Sequence, residues 1–136
     1  MIIIICLDNN NGMFFNNRRQ SKDFKIIEKI IDIVNGKKLR ISPYSYPLFE
    51  NYKEKINLEI GQDFLKKAVS GEFCFVENQD IRPYEQLAER IIVFKWNRVY
   101  PADMLFDQSI IEKRRLLYSE DFAGNSHDRI IVEVYE

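Results

Sequence analysis

The chain has 136 residues, of which 46% are hydrophobic and 30% are charged, and its formal net charge is -1. This length and composition suit one domain with one packed core and exclude an intrinsically disordered chain. The nearly balanced charge gives no general attraction to nucleic acid or to anionic lipid, so we expect neither a nucleic-acid partner nor a membrane.

The first apolar run, Ile2–Leu7, is too short to cross a bilayer, and we interpret it as a buried strand. No targeting segment is recognisable, so we expect a cytoplasmic protein. Cys6 and Cys74 lie within apolar runs, which favours two buried, reduced thiols over a disulfide. His127 is the only histidine, which argues against sites that hold a metal with several histidines, and we predict no metal site.

Hydrophobic spacing predicts alternating strands and helices along the chain. A helix is predicted over 23–35, ending at an αL cap formed by Asn35 and Gly36. The predicted strands cover residues 2–7, 38–42, 55–60, 72–77, 90–96, 116–119 and 129–135. Shorter helices or helical turns are predicted at 44–49, 63–69 and 83–88.

The order of these elements predicts the sheet. Helices between the early strands imply parallel crossovers, and the connection at 124–128 implies an antiparallel hairpin at the end. We therefore predict one α/β domain over 1–136, with a mixed, mainly parallel sheet, flanking helices and a C-terminal antiparallel hairpin.

Four stretches in this order carry a family resemblance. The first is the strand 2–7, followed by Asp8-x-Asn-Asn-Gly-Met and by Asp23, which opens the helix. The second is the segment 73–87, which ends in Tyr-Glu-Gln-Leu, and the third is the strand 91–94 with Ala-Asp-Met-Leu-Phe at 102–106. The fourth is Asn-Ser-His at 125–127, before the strand 130–134. Together they resemble dihydrofolate reductase over most of the chain. The resemblance implies that fold and an NADPH-dependent reduction of a folate-like or pterin-like substrate. It also implies that Asp23 binds the pterin ring and assists its protonation.

The positions that the resemblance assigns to NADPH carry different residues. Glu-Asn-Gln-Asp at 77–80 stands where the family has a glycine pair that lets the backbone approach the cofactor pyrophosphate. Ser-Pro-Tyr-Ser at 42–45 replaces the family's Gly-Arg-x-Thr, which grips a cofactor phosphate. The stretch between Phe49 and Phe73 has room for about one strand, where the family has two and a long loop. We therefore expect no cofactor, with NADPH as the open alternative.

The substrate side also departs from the family. Asn-Arg-Arg-Gln at 17–20 replaces Leu-Pro-Trp before the acid, and Lys95 replaces the threonine that usually partners it. The catalytic candidate is Asp23. The candidate ligand-binding residues are Cys6, Leu7, Met13, Phe14, Arg19, Phe24, Ile27, Ser42, Tyr46, Phe49 and Lys95.

Several of these candidates have a second, purely structural interpretation. Asp23 stabilises a helix start through the helix dipole alone. Arg19 suits a solvated, mobile loop as well as an anionic ligand. Lys95 either lays its stem over Trp96 or pairs with Asp23 across the pocket. His127 suits an exposed or locally bonded position in a hairpin loop better than a catalytic role.

Two classes of function therefore remain. One is a reductase-like fold that has lost its NADPH site and binds a small polar ligand or a protein partner in the cleft near Asp23. The other is a working NADPH-dependent reductase with an altered cofactor site. The shortened middle region exposes the strand 55–60, which makes a homodimer a further expectation.

Overall fold

A computed structural model describes the whole chain, residues 1–136. It contains ten strands and four short or medium α-helices. The strands are β1 (Ile2–Leu7), β2 (Gly12–Phe15), β3 (Arg18–Arg19), β4 (Lys38–Ile41), β5 (Asn57–Ile60), β6 (Phe73–Phe75), β7 (Arg90–Lys95), β8 (Met104–Leu105), β9 (Leu116–Phe122) and β10 (Ile130–Tyr135). The helices are α1 (Phe24–Val34), α2 (Tyr46–Phe49), α3 (Phe64–Lys67) and α4 (Ser109–Glu112), with 3-10 turns at Glu50–Lys55 and Arg82–Leu87. None of these helices has the length and apolarity needed to cross a membrane.

Seven strands form the main sheet in the order β5-β4-β6-β1-β7-β10-β9. The neighbours from β5 to β7 are parallel, and β10 runs antiparallel to both β7 and β9. The predicted mixed sheet with a C-terminal antiparallel hairpin is confirmed. One strand, β5, lies between Phe49 and Phe73, as the short length of that region predicts.

The two faces of the sheet bury separate apolar clusters. Alternation along β1 sends Ile3, Ile5 and Leu7 into one cluster with α3 and α4, and Ile4 into the other with α1. This alternation puts Cys6 on the α1 face, while its neighbour Leu7 faces away. The α1 face is where the main cleft of the molecule lies.

Helix α1 begins and ends as predicted. Asp23 is its N-cap residue, with extended backbone (φ -154°), and its carboxylate accepts the N–H of Lys25. Asn35 closes the helix in the left-handed conformation (φ 48°), and its N–H donates to Ile31.

The segment after β1 departs from the sequence-based expectation. The sequence predicts no strand between residues 8 and 22, but β2 and β3 lie there and form a small antiparallel sheet with β8. These strands are two to four residues long, which is too short for a periodic pattern. Strand β2 forms a local hairpin with β3 and also pairs with β8, about 90 residues later in the chain.

Candidate functional site

A cleft with a volume of about 400 Å³ lies at the carboxyl ends of β1, β6 and β7, between α1 and α2. Open α/β sheets bind ligands at this edge. Half of its lining residues are hydrophobic. The lining residues are Cys6, Met13, Arg19, Gln20, Ser21, Lys22, Asp23, Phe24, Ile26, Ile27, Pro47, Leu48, Asn51, Tyr52, Phe75, Val76, Glu77, Trp96, Asn125 and Ser126.

Asp23 lies in the wall of this cleft, but its carboxylate is turned into the protein. Its side chain is completely buried. The backbone N–H groups of Asn125 and Ser126 donate to it at 2.9 Å, and the Ser126 hydroxyl and His127 Nδ1 bond to Oδ2 at 3.2 and 3.0 Å. With the Lys25 N–H, these donors fill the lone-pair directions of both oxygens. The contact with a pterin ring that the resemblance implies for Asp23 therefore finds no free acceptor on this carboxylate.

The same contacts control the charge of Asp23. Burial by itself would raise the pKa of the carboxyl, but the hydrogen bonds from Asn125, His127, Ser126 and Lys25 outweigh it and lower the pKa from 3.8 to about 2. Asp23 is thus a fixed anion near neutral pH. It ties the start of α1 to the 125–127 loop.

His127 is buried, so of its two expected positions, exposed or locally bonded, the exposed one is wrong. Its ring stacks on Trp96 at 4.7 Å between centroids, with an interplanar angle of 29°. Nδ1 bonds to Asp23, while Nε2 lies 2.8 Å from the Tyr100 hydroxyl and 3.2 Å from the Ser21 hydroxyl. The partners of His127 thus come from residues distant in sequence as well as from its own loop.

An ion pair forms another part of the cleft wall. The Arg19 guanidinium donates to both carboxylate oxygens of Glu77, at 2.8 and 3.0 Å, and lies 4.5 Å from the centre of the Tyr44 ring. Glu77 also accepts the Ser45 hydroxyl at 2.8 Å. Arg19 is therefore held in place and not in a solvated loop, and the acidic side chain at the end of β6 is neutralised locally.

No protein-family model matches the chain, and no curated protein matches it in sequence. Among solved structures, it is similar to dihydrofolate reductase from Enterococcus faecalis, determined in complex with NADP(H) and RAB-propyl. The TM-score is 0.66, with 99% of this chain and 94% of that chain covered, at 6% sequence identity.

This chain has a dihydrofolate-reductase-like fold. At such low identity the likeness establishes the scaffold and leaves the chemistry of the site to be argued from the residues of this chain. The resemblance seen in the ordered sequence motifs is confirmed at the level of the fold.

Within this reductase-like fold, the predicted site residues separate into two groups. Six of them line the cleft: Cys6, Met13, Arg19, Asp23, Phe24 and Ile27. The others lie outside it: Leu7, Phe14, Ser42, Tyr46, Phe49 and Lys95. Burial raises the pKa of the Cys6 thiol, so it contributes an apolar wall and not a nucleophile.

The residues outside the cleft have other partners. Leu7 and Phe14 belong to the cluster on the far face of the sheet, and Phe49 is fully buried beneath the cleft. The Ser42 hydroxyl bonds to Ser45 at 3.3 Å, and Tyr46 packs on the α1-side cluster.

Lys95 does not meet Asp23. Its ammonium pairs with Glu133 on the neighbouring β10 at 2.8 Å. Phe94 and Trp96 on either side belong to the cluster on the α1 face, and strand alternation turns Lys95 away from it. The expected ion pair between Lys95 and Asp23, one of the two expectations for Lys95, is therefore wrong.

Ser21, Gln20 and Asn51 also line the cleft, and no sequence motif marks them as site residues. The only local signal for Ser21 is its position two residues before Asp23, the residue that caps α1. Glu77 was identified as a departure from the family, but its pairing with Arg19, 58 residues earlier, has no local signal.

Proposed function

We propose that this protein uses a reductase-type scaffold to bind a small molecule in the cleft beside Asp23, without NADPH. The observation that carries the proposal is the Arg19–Glu77 pair with the Ser45 hydroxyl on the same carboxylate. It stands at the place where the resemblance puts the backbone approach to a cofactor pyrophosphate.

The residues in that region do not fit a pyrophosphate. An added anion would meet the Glu77 carboxylate, and the only guanidinium beside it is already held by two hydrogen bonds. Further along the same segment, Arg82 pairs with Asp80 at 2.9 Å. Binding a pyrophosphate there would require breaking at least one ion pair, and we derive no reduction step through NADPH.

The cleft favours a ligand with an apolar body and a polar edge. Phe24, Ile27 and Leu48 give it an apolar wall, and Asn51 and Lys22 supply hydrogen-bond donors. A volume of about 400 Å³ is in the range of small-molecule sites. The buried Asp23 contributes by holding the 125–127 loop and not by direct contact.

An NADPH-dependent reductase with an altered cofactor site is the second candidate. It is supported by the bound NADP(H) in the structurally similar Enterococcus faecalis enzyme. It requires the Arg19–Glu77 pair to open.

Thermal unfolding separates the two candidates. A ligand present at about 100 times its dissociation constant stabilises the folded state by about 2.7 kcal/mol, which raises the melting temperature. We expect no shift with millimolar NADPH, and shifts with folic acid or adenine as probes of the cleft. A shift with NADPH would contradict the proposal and favour the reductase.

A matched pair of variants locates the bound probe. Leu48→Lys places a charge in the cleft wall and is expected to abolish the shift. Leu87→Lys changes a leucine that is 64% exposed and outside the cleft, and is expected to preserve it. A shift that survives Leu48→Lys would contradict the assigned site.

The expected homodimer belongs to the same proposal. Strand β5 forms one edge of the main sheet, and three of its four residues are exposed. Pairing of two such edges would satisfy their free backbone groups. Light scattering is expected to give the mass of a dimer, and a monomer mass would remove this part of the proposal.

A further inference from the structure

Three side chains beside the cleft form a connected chain of hydrogen bonds. The Ser21 hydroxyl lies 3.2 Å from His127 Nε2, and His127 Nδ1 lies 3.0 Å from Asp23 Oδ2. A hydroxyl on one ring nitrogen and a buried carboxylate on the other is the arrangement of a nucleophile, its general base and the group that orients the base.

The surroundings of the imidazole fix how its protons are placed. Asp23 is an anion that accepts from Nδ1, so Nδ1 carries the proton and Nε2 presents a lone pair. Trp96, stacked on the ring, holds its orientation. The lone pair points to two hydroxyls, those of Ser21 and Tyr100.

Only one of these two hydroxyl-bearing residues is at the cleft. Ser21 is half-buried and lines the cleft, whereas Tyr100 does not. His127 does not line the cleft either, so among its Nε2 partners Ser21 is the one a bound molecule would meet. The geometry therefore favours Ser21 over Tyr100 as the nucleophile.

We propose that Ser21, His127 and Asp23 hydrolyse small carboxylic esters whose acyl chain lies in the apolar part of the cleft. This inference rests on the proposed ligand cleft and adds a reaction to it. Ser21 Oγ bonds to the acyl carbon while its proton passes to His127 Nε2. The carbon–oxygen bond to the alcohol then breaks, and the alcohol oxygen takes that proton. Water attacks the acyl-serine and gives a proton to Nε2. The carboxylic acid leaves and Ser21 recovers the proton.

Neighbouring groups can accommodate the charge that develops on the ester oxygen. Lys22 is exposed and lines the cleft beside Ser21. The backbone N–H groups of Ser21 and Lys22 donate to no other atom of the chain. Such donors beside the nucleophile stabilise a tetrahedral oxyanion when a substrate brings its carbonyl within reach. Asp23 is a positioning residue in this scheme, because its carboxylate is bonded to the imidazole, to the 125–127 loop and to the start of α1.

Hydrolysis of p-nitrophenyl butyrate by the full chain tests the proposal. We expect Ser21→Ala to lower kcat/KM by at least about 100-fold, because removal of the nucleophile eliminates the covalent route. Ser119→Ala, at an exposed serine on β9, is the matched control and is expected to match the wild type. A fluorophosphonate probe is expected to label the wild-type chain on Ser21, as located by mass spectrometry. Turnover within twofold of wild type in Ser21→Ala would overturn the proposal.

Two further measurements resolve the other outcomes. Tyr100→Phe removes the phenol that competes with Ser21 for the Nε2 lone pair, and this variant is expected to retain esterase activity. Loss of activity in Tyr100→Phe would assign the nucleophile's role to the phenol and overturn the proposal. The slowly hydrolysed amide p-nitrobutyranilide measures binding alone by thermal shift. A shift in wild type and Ser21→Ala without ester turnover refutes the hydrolase and leaves the proposed cleft standing. No turnover, together with no shift by the amide, by folic acid or by adenine, refutes both.

Discussion

Replacing Asp23 with asparagine should cost stability far beyond the usual value of a helix cap. The carboxylate anchors the 125–127 loop to the start of α1 through donors from both segments. Lowering its pKa from 3.8 to about 2 corresponds to about 2 kcal/mol in favour of the ionised folded state, at 1.36 kcal/mol for each unit. The amide of asparagine would also point an N–H group at buried donors, which adds roughly 1 kcal/mol or more. We expect a loss of about 3 kcal/mol in the free energy of unfolding.

The pH dependence has a definite sign. The pKa of Asp23 is lower in the folded chain than in the unfolded one, so the stabilisation is complete above the unfolded pKa and is lost as pH falls through the folded pKa. The gap between wild type and Asp23→Asn should therefore be full near neutral pH. By about pH 3, the gap should have lost roughly half of the contribution that comes from ionisation of Asp23.

Urea denaturation measures both effects. Asp63→Asn is a matched control, because Asp63 is the N-cap residue of α3 but makes no side-chain capping bond. It is expected to change the free energy of unfolding by no more than about 0.5 kcal/mol. Equal effects of the two substitutions, or a gap for Asp23→Asn that does not shrink in acid, would refute the role assigned to Asp23.

Two further predictions use the same denaturation assay. Gly124→Ala should lower the free energy of unfolding by about 1–3 kcal/mol, because the added Cβ would lie 2.5 Å from Asp23 Oδ2. The control Gly61→Ala should cause no loss, because the added Cβ would meet no atom within 4 Å. Equal losses in the two variants would contradict the packing at Gly124. Arg19→Met should cost about 3 kcal/mol by leaving the Glu77 carboxylate buried and unpaired, and adding Glu77→Leu should recover most of it. A double variant no more stable than the single one would contradict that reasoning.

The elements that the sequence predicts well are those with strong local patterns. The apolar run of β1 and the periodicity and caps of α1 specify their structure within a few residues, and the structure agrees with them. The order of strands and helices then limits the topology to a mixed sheet with a terminal hairpin. This is why weak motifs in the correct order were enough to suggest the fold.

The cleft is less predictable because it depends on orientation and on distant partners. Cys6 and Leu7 were both proposed as ligand contacts, yet neighbours on a strand face opposite sides and only Cys6 reaches the cleft. Lys95 fails for the same reason. The partners of His127 and Arg19 include residues from 58 to 106 positions away in the sequence, so composition and spacing carry no information about them.

The central claim is that the cleft binds a small molecule and has no site for NADPH. Amide correlation spectra of the labelled protein, titrated separately with NADPH and with p-nitrobutyranilide, test it most directly. We predict saturable shifts with the amide at Ser21, Asn51 and Asn125, which line the cleft, and none with millimolar NADPH. Saturable shifts with NADPH at residues 77–80, together with loss of the Arg19 side-chain signal characteristic of its pairing with Glu77, would contradict the claim.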